Sequence, residues 1–240
     1  MTKRWLTLLL CFFTLPGWAD TRVLVAVASN FEPVAQALGK VFSHTHPDIK
    51  IAFSGAASGT HYHQILRGAP FDIFLSADRY YPSKLSALGK FGPQQDYAIG
   101  KLVLTSRKRF QYDTAMQNIA SGKARLAIAN PKMAPYGLAA QQVLDANGIK
   151  ITTVQGQNVG QALNYLTAGA VDYAFASKSQ VLPLDNIFWQ PVPADHEPIF
   201  QAGILLTSDK PAALTFWQFL FSPEARQLIA SMGYEAISNE

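Results

Sequence analysis

The chain has 240 residues, 49% of them apolar, and its 20 Lys and Arg against 16 Asp and Glu leave a net charge of +4. That slight excess suits a surface that handles anions, while the absence of any run of Lys and Arg interleaved with aromatics argues against nucleic acid as a partner. A single cysteine, Cys11, excludes an internal disulfide and a thiolate metal site, so a hydrophobic core has to supply the stability.

The first 19 residues read as an export signal. Lys3 and Arg4 make a basic start, residues 5–15 (WLTLLLCFFTL) an apolar run, and Gly17-Trp18-Ala19 a small-residue cleavage site. A bilayer span needs about 20 apolar residues, more than this run supplies. Leu10 is too bulky to precede a lipidated cysteine at Cys11. The expectation is cleavage after Ala19 and a free mature chain in the periplasm.

Beyond the signal, residues 22–28 (RVLVAVA) read as a buried strand, and residues 31–44 as a helix with Val34, Leu38, Val41 and Phe42 on one face. A second strand is expected at 49–53, a helix at 60–66 ending at Gly68, and a third strand at 71–76. Residues 101–105 open a new region, with further strands at 125–129, 151–154 and 173–176 and helices at 138–147 and 159–168. A last strand at 203–207 precedes closing helices at 211–221 and 223–232, the second with Pro223 in its first turn. This alternation predicts an α/β fold with largely parallel sheets. The stretches 92–100 and 190–200, rich in Pro, Gln, Asp and Gly, read as two crossings between lobes. They give a first lobe of residues 20–100 with 197–240, a second of 101–196, and a cleft between them, where ligands bind by preference.

Four segments end in small or polar residues just before a helix: Ser29-Asn30, Ala57-Ser58-Gly59, Pro135-Tyr136-Gly137 and Asn158-Val159-Gly160. A helix start leaves backbone N–H groups unpaired and carries partial positive charge, so several starts aimed at one cleft form an anion pocket. Singly, Ser, Asn and Gly in such places are ordinary N-caps. Their repetition at strand ends, where open α/β sheets hold ligands, points to a binder of an anion or another small molecule.

Five segments carry a resemblance: VAVASNF (25–31), GAASGTHYHQILRGAPFDIFLSAD (55–78), RLAIANPKMAPYGLAA (125–140), QNVGQAL (157–163) and FSPEARQLIASMGY (221–234). On these the mature chain resembles the periplasmic molybdate-binding proteins of ABC transporters. The resemblance implies the two-lobed type II periplasmic binding protein fold, capture of molybdate or tungstate between the lobes, delivery to a membrane permease, a monomer, and no catalysis and no cofactor. Molybdenum would be bound as its oxyanion, with no side chain on the metal itself. The implied ligand residues are Ser29 and Ser58 through hydroxyl and N–H, Asn30 as a further donor, Tyr136, and Val159 through its backbone N–H. Many relatives have a donor tyrosine where this chain has Ser177, whose side chain is too short to copy that reach. The expectation is that the Tyr136 hydroxyl supplies the donor instead, with Ser177 as an additional candidate.

Neutral donors suit a fully deprotonated tetrahedral dianion, because a charged acceptor strengthens every hydrogen bond it receives. Phosphate keeps a proton near neutral pH and favours a site with a carboxylate acceptor, and none of the candidate positions has one. Sulfate differs from molybdate only in size, so sulfate or an organic anion stands as an alternative ligand. A metal-dependent hydrolase is the other class to weigh, on the strength of His44, His46, His61 and His63. His61 and His63 lie two apart and diverge on a helix, unlike a zinc pair four apart, so these histidines read as solvated surface groups. Tyr80 and Tyr81 diverge for the same reason, which disfavours a ferric site. Asp78 reads as a cap for the helix that begins near Tyr80.

Overall fold

The computed structural model describes residues 22–237. The expected export signal lies outside these residues. Among the described residues no helix is long and apolar enough to cross a membrane.

The first lobe starts with β1 (Arg22–Ala28), whose Val23, Val25 and Val27 are fully buried. β-Branched side chains favour the pleated backbone, and burial on both faces explains the nearly continuous apolar run. Helix α1 (Glu32–Thr45) lays Val34, Leu38 and Phe42 into the core and returns the chain to β2 (Lys50–Ala56), which pairs parallel to β1 along its whole length. Helix α2 (Ser58–Leu66), β3 (Ile73–Ser76), α3 (Tyr80–Ser86) and β4 (Gln95–Gly100) follow.

The chain then enters the second lobe through β5 (Leu102–Ser106), α4 (Tyr112–Ala120), β6 (Leu126–Ala129), α5 (Pro135–Ala146), β7 (Val154–Gly156), α6 (Val159–Thr167), β8 (Tyr173–Ser177), the short α7 (Lys178–Val181) and β9 (Phe188–Pro191). It returns through β10 (Ile199–Leu205) and closes with α8 (Pro211–Leu220) and α9 (Pro223–Ser231) on the first lobe. The two five-stranded sheets run β2-β1-β3-β10-β4 and β7-β6-β8-β5-β9.

Three sequence expectations need correction here. The sheets are mixed rather than largely parallel, because β10 runs antiparallel to β3 and β4, and β5 antiparallel to β8 and β9. The stretches expected as crossings are partly strands: β4 and β9 are edge strands, and β10 begins at Ile199 rather than Gly203. Edge strands tolerate the polar residues and prolines that mimic a loop in sequence. Helix α4, unassigned from sequence, buries Ala115, Met116 and Ile119.

One apolar cluster lies wholly in the first lobe, around Val25, Phe31, Leu38, Phe42 and Phe216. Another belongs to the second lobe but also takes in Ala28, Ala57, Ala77 and Ile199 of the first. Alanines at the ends of first-lobe segments let the two lobes approach closely where the candidate ligand residues converge.

Candidate functional site

Each candidate residue sits where a strand hands over to a helix. β1 ends at Ala28, and Ser29 and Asn30 turn the chain into α1. Ala57, still extended at φ −67° and ψ 147°, is the N-cap that places Ser58 at the first position of α2. Pro135 opens α5, where a missing N–H costs nothing, and puts Tyr136 next. Asn158 caps α6 by accepting from the Gln161 amide at 2.9 Å, leaving Val159 at the helix start.

Ser29, Asn30, Ser58, Tyr136 and Val159 all line one cavity of about 10 Å³, whose other walls are alanines and Pro135. A volume of about 10–15 Å³ holds one water, so an oxyanion with four oxygens needs the walls to part slightly. No acidic or basic side chain lines it. Among the described residues the backbone N–H groups of Asn30, Ser58, Tyr136 and Val159 have no protein acceptor. The Ser29 hydroxyl likewise has no hydrogen bond within the described residues, whereas its amide donates to Ala56 O at 2.9 Å. Ser29 thus offers only its hydroxyl, not the hydroxyl and N–H expected from sequence. The Ser58 hydroxyl accepts from the Ala77 amide at 3.0 Å, which occupies a lone pair and leaves the proton free to donate. Four amides and two hydroxyls therefore surround the cavity with donors and no counter-charge.

The side chains expected to complete this shell turn elsewhere. Ser177 is not part of the cavity wall and donates to the Tyr136 hydroxyl at 3.1 Å. That phenol belongs to a buried network behind the cavity, not to its mouth. The Asn30 side-chain amide donates to Gln201 Oε1 and to the Tyr234 hydroxyl, both at 2.8 Å. Ser179 lies 2.8 Å from Ser177 and 3.0 Å from the Asn30 carbonyl. Burial holds the Tyr136 phenol well above the ordinary tyrosine range and pushes Tyr234 up to about 12, so the network is neutral at physiological pH. The Tyr136 and Asn30 side chains are thus taken up by the network, and the groups of these two residues that stay unpaired beside the cavity are their backbone N–H groups. Gln180, Ser179, Gln201 and Tyr234 were not singled out from sequence. They come from distant segments, and no local pattern marks them.

Two further residues differ in how they were placed. Asp78 accepts from the Tyr81 amide at 3.0 Å, the capping role expected of it, and burial pushes its carboxyl up to about 6. His61 is fully buried rather than solvated, with Nε2 3.2 Å from Val27 O, Nδ1 3.1 Å from Gln64 Oε1, and its ring against Phe71 and Phe74. Helical spacing on α2 puts His61 on the core face with Ile65, whereas His63 on the same helix and His44 on α1 are exposed. Among the described residues no group of three or more His, Cys, Asp or Glu is placed to hold a metal ion.

The family model for bacterial extracellular solute-binding proteins matches residues 23–235. The chain is 36% identical to the molybdate-binding protein ModA of Rhodobacter capsulatus over 90% of this chain and 89% of that protein. It is 37% identical to the protein of the same name from Azotobacter vinelandii over 88% of this chain and 89% of that one. A solved Azotobacter vinelandii periplasmic molybdate-binding protein superposes with a TM-score of 0.82 at 33% identity, over 90% of this chain and all of the other.

Proposed function

The chain belongs to the bacterial extracellular solute-binding proteins, and from that membership we propose that it captures molybdate or tungstate for an ABC importer. One observation carries the choice of ligand: a cavity lined by residues with free N–H and O–H donors, without a carboxylate or a cation. A fully deprotonated tetrahedral dianion offers acceptors in every direction, and each charge-assisted bond is about twice as strong as a neutral one. Partial positive charge at the starts of α2, α5 and α6 adds to this without any formal counterion.

On this reading the residues act by binding alone, with no catalytic step, as a periplasmic monomer that hands its ligand to a membrane permease. Residues 20–100 with 197–240 form one lobe and 101–196 the other, and the two strand crossings act as the hinge that opens the cavity. Isothermal titration with molybdate, tungstate, sulfate and phosphate tests the proposal. Tight one-to-one binding of the first two is expected in the cavity, weaker sulfate binding because the smaller ion reaches fewer donors at once, and no displacement of bound molybdate by phosphate at neutral pH. Phosphate binding as tight as molybdate, or no binding of any of the four, would sink it.

A further inference from the structure

We propose that the pole of the second lobe opposite the oxyanion cavity holds a second anion site, which takes phosphate-bearing groups with several negative charges. A hollow of about 370 Å³ lies there, between the connection from β5 to α4 and the turn from α4 to β6. Arg107, Lys108 and Arg109 reach it from the connection and Lys123 from the turn, all four exposed. Among the described residues none of these four cations is in a salt bridge. The one acid on the wall, Asp172, accepts from the Arg125 amide at 2.8 Å instead.

The connection is pinned rather than loose. The Lys108 amide donates to Ser106 Oγ at 3.3 Å, Gln190 Nε2 to Phe110 O at 3.4 Å, and the Arg109 guanidinium sits 4.8 Å over the Phe188 ring. Phe110 in turn meets Tyr173 edge-on at 5.4 Å. Like charges held together on a fixed backbone repel one another, and a multivalent anion relieves that repulsion with little ordering cost. Guanidinium and ammonium groups fit phosphate oxygens through directed, charge-assisted bonds. The chemistry is the opposite of the neutral oxyanion cavity, and so is the place. β5 pairs Leu102 with Ser177 at the cavity end and Ser106 with Tyr173 at the pole. Four residues of strand separate the two ends by about 13 Å, so both sites can be filled at once.

A soluble oligophosphate and the phosphodiester headgroups of an anionic lipid surface share this chemistry. Inorganic tripolyphosphate at low ionic strength, followed by titration calorimetry, probes the first source. Sedimentation with phosphatidylglycerol vesicles, against phosphatidylcholine vesicles, probes the second. Wild-type protein is expected to bind at least one probe, and the variant Arg107→Gln/Lys108→Gln/Lys123→Gln to lose about a hundred-fold, at about five-fold per cation. Binding to tripolyphosphate alone assigns a soluble ligand, and binding to the anionic vesicles assigns headgroups. An unchanged melting midpoint and molybdate titration show that the variant is folded, and Lys108→Glu alone gives a second, less invasive reading. Failure of the wild type to bind either probe, or equal binding by the triple variant, overturns the proposal without touching the oxyanion assignment.

Discussion

Ser58 does two things with one oxygen. It accepts the Ala77 amide, which occupies one lone pair, and it keeps a proton to donate at the cavity wall. Ser58→Ala removes a donor to a charged partner and orphans a buried amide, so oxyanion affinity should fall by about 1.5–3 kcal/mol, roughly ten- to a hundred-fold by calorimetry. Tyr136→Phe should behave differently. It keeps the amide that faces the cavity and deletes a phenol that receives Ser177, so the loss should appear in the melting midpoint, at about 1–3 kcal/mol, with affinity changed less than three-fold. A ten-fold affinity loss without destabilisation would put the phenol back in the ligand shell. At this scale the sequence showed which residues meet at the cavity, because Ser29, Asn30, Ser58, Tyr136 and Val159 each follow a visible strand or turn. It could not show which atom of Asn30 or Tyr136 faces inward, since that depends on Gln201 and Tyr234, 171 and 204 positions from Asn30.

Helix starts are the functional unit at the next scale, and Val159 allows one to be edited almost in isolation. Proline is well tolerated at the first helical position, and Asn158 at φ −146° and ψ 174° has the extended backbone that a following proline requires. Val159→Pro should fold near wild-type stability while losing the single N–H, with affinity down about ten- to a hundred-fold. Retained affinity in titration would show that this amide is not a donor to the ligand. The start of α3 and the core face of α2 govern the response to pH. Asp78 is raised from 3.8 to about 6 by burial, so the folded state holds its proton more tightly than the unfolded one. Its contribution therefore favours folding at low pH and is lost as pH rises from about 4 to 6, on the order of 3 kcal/mol. His61 has the opposite sign: burial lowers its pKa below 6.5, so stability falls as the pH drops below that value. Melting midpoints across pH 4–7 should show the two slopes separately, with Asp78→Asn, which can still cap α3, flattening the first and His61→Gln the second. Central strands and long helices were legible from apolar runs and helical spacing, as at residues 22–28 and 31–44. The edge strands β4 and β9 were not, because one exposed edge relaxes the demand for apolar residues, and Gln95, Asp96 and Pro191 look like loop.

Closure of the whole molecule depends on how near the second lobe can come to the strand that crosses into it. Gly100 ends β4 at the crossing, and a Cβ placed there would collide with the Tyr136 hydroxyl and lie 2.8 Å from Gln201 Nε2. Other bonds hold the same closed arrangement: Gln180 Nε2 to Ser29 O at 2.9 Å, Ser179 Oγ to Asn30 O at 3.0 Å, and the Gly59 amide to Met133 O at 2.9 Å. Gly100 is therefore required for close approach rather than for an unusual φ. Gly100→Ala should push Tyr136, and with it the start of α5, away from Ser29 and Ser58. Overpacking of this kind costs about 1–3 kcal/mol, and because the displaced donors belong to the cavity, the same substitution should weaken oxyanion binding as well as lower the melting midpoint. The double variant Gly100→Ala/Tyr136→Phe separates this steric account from a general effect of the added methyl on the strand. The atom met most closely is the phenol oxygen, so deleting it should recover much of the lost affinity, and a double-mutant cycle should give a coupling of about 1 kcal/mol or more. Strict additivity of the two changes would mean that Gly100 acts through the strand backbone alone and that lobe closure does not run through Tyr136.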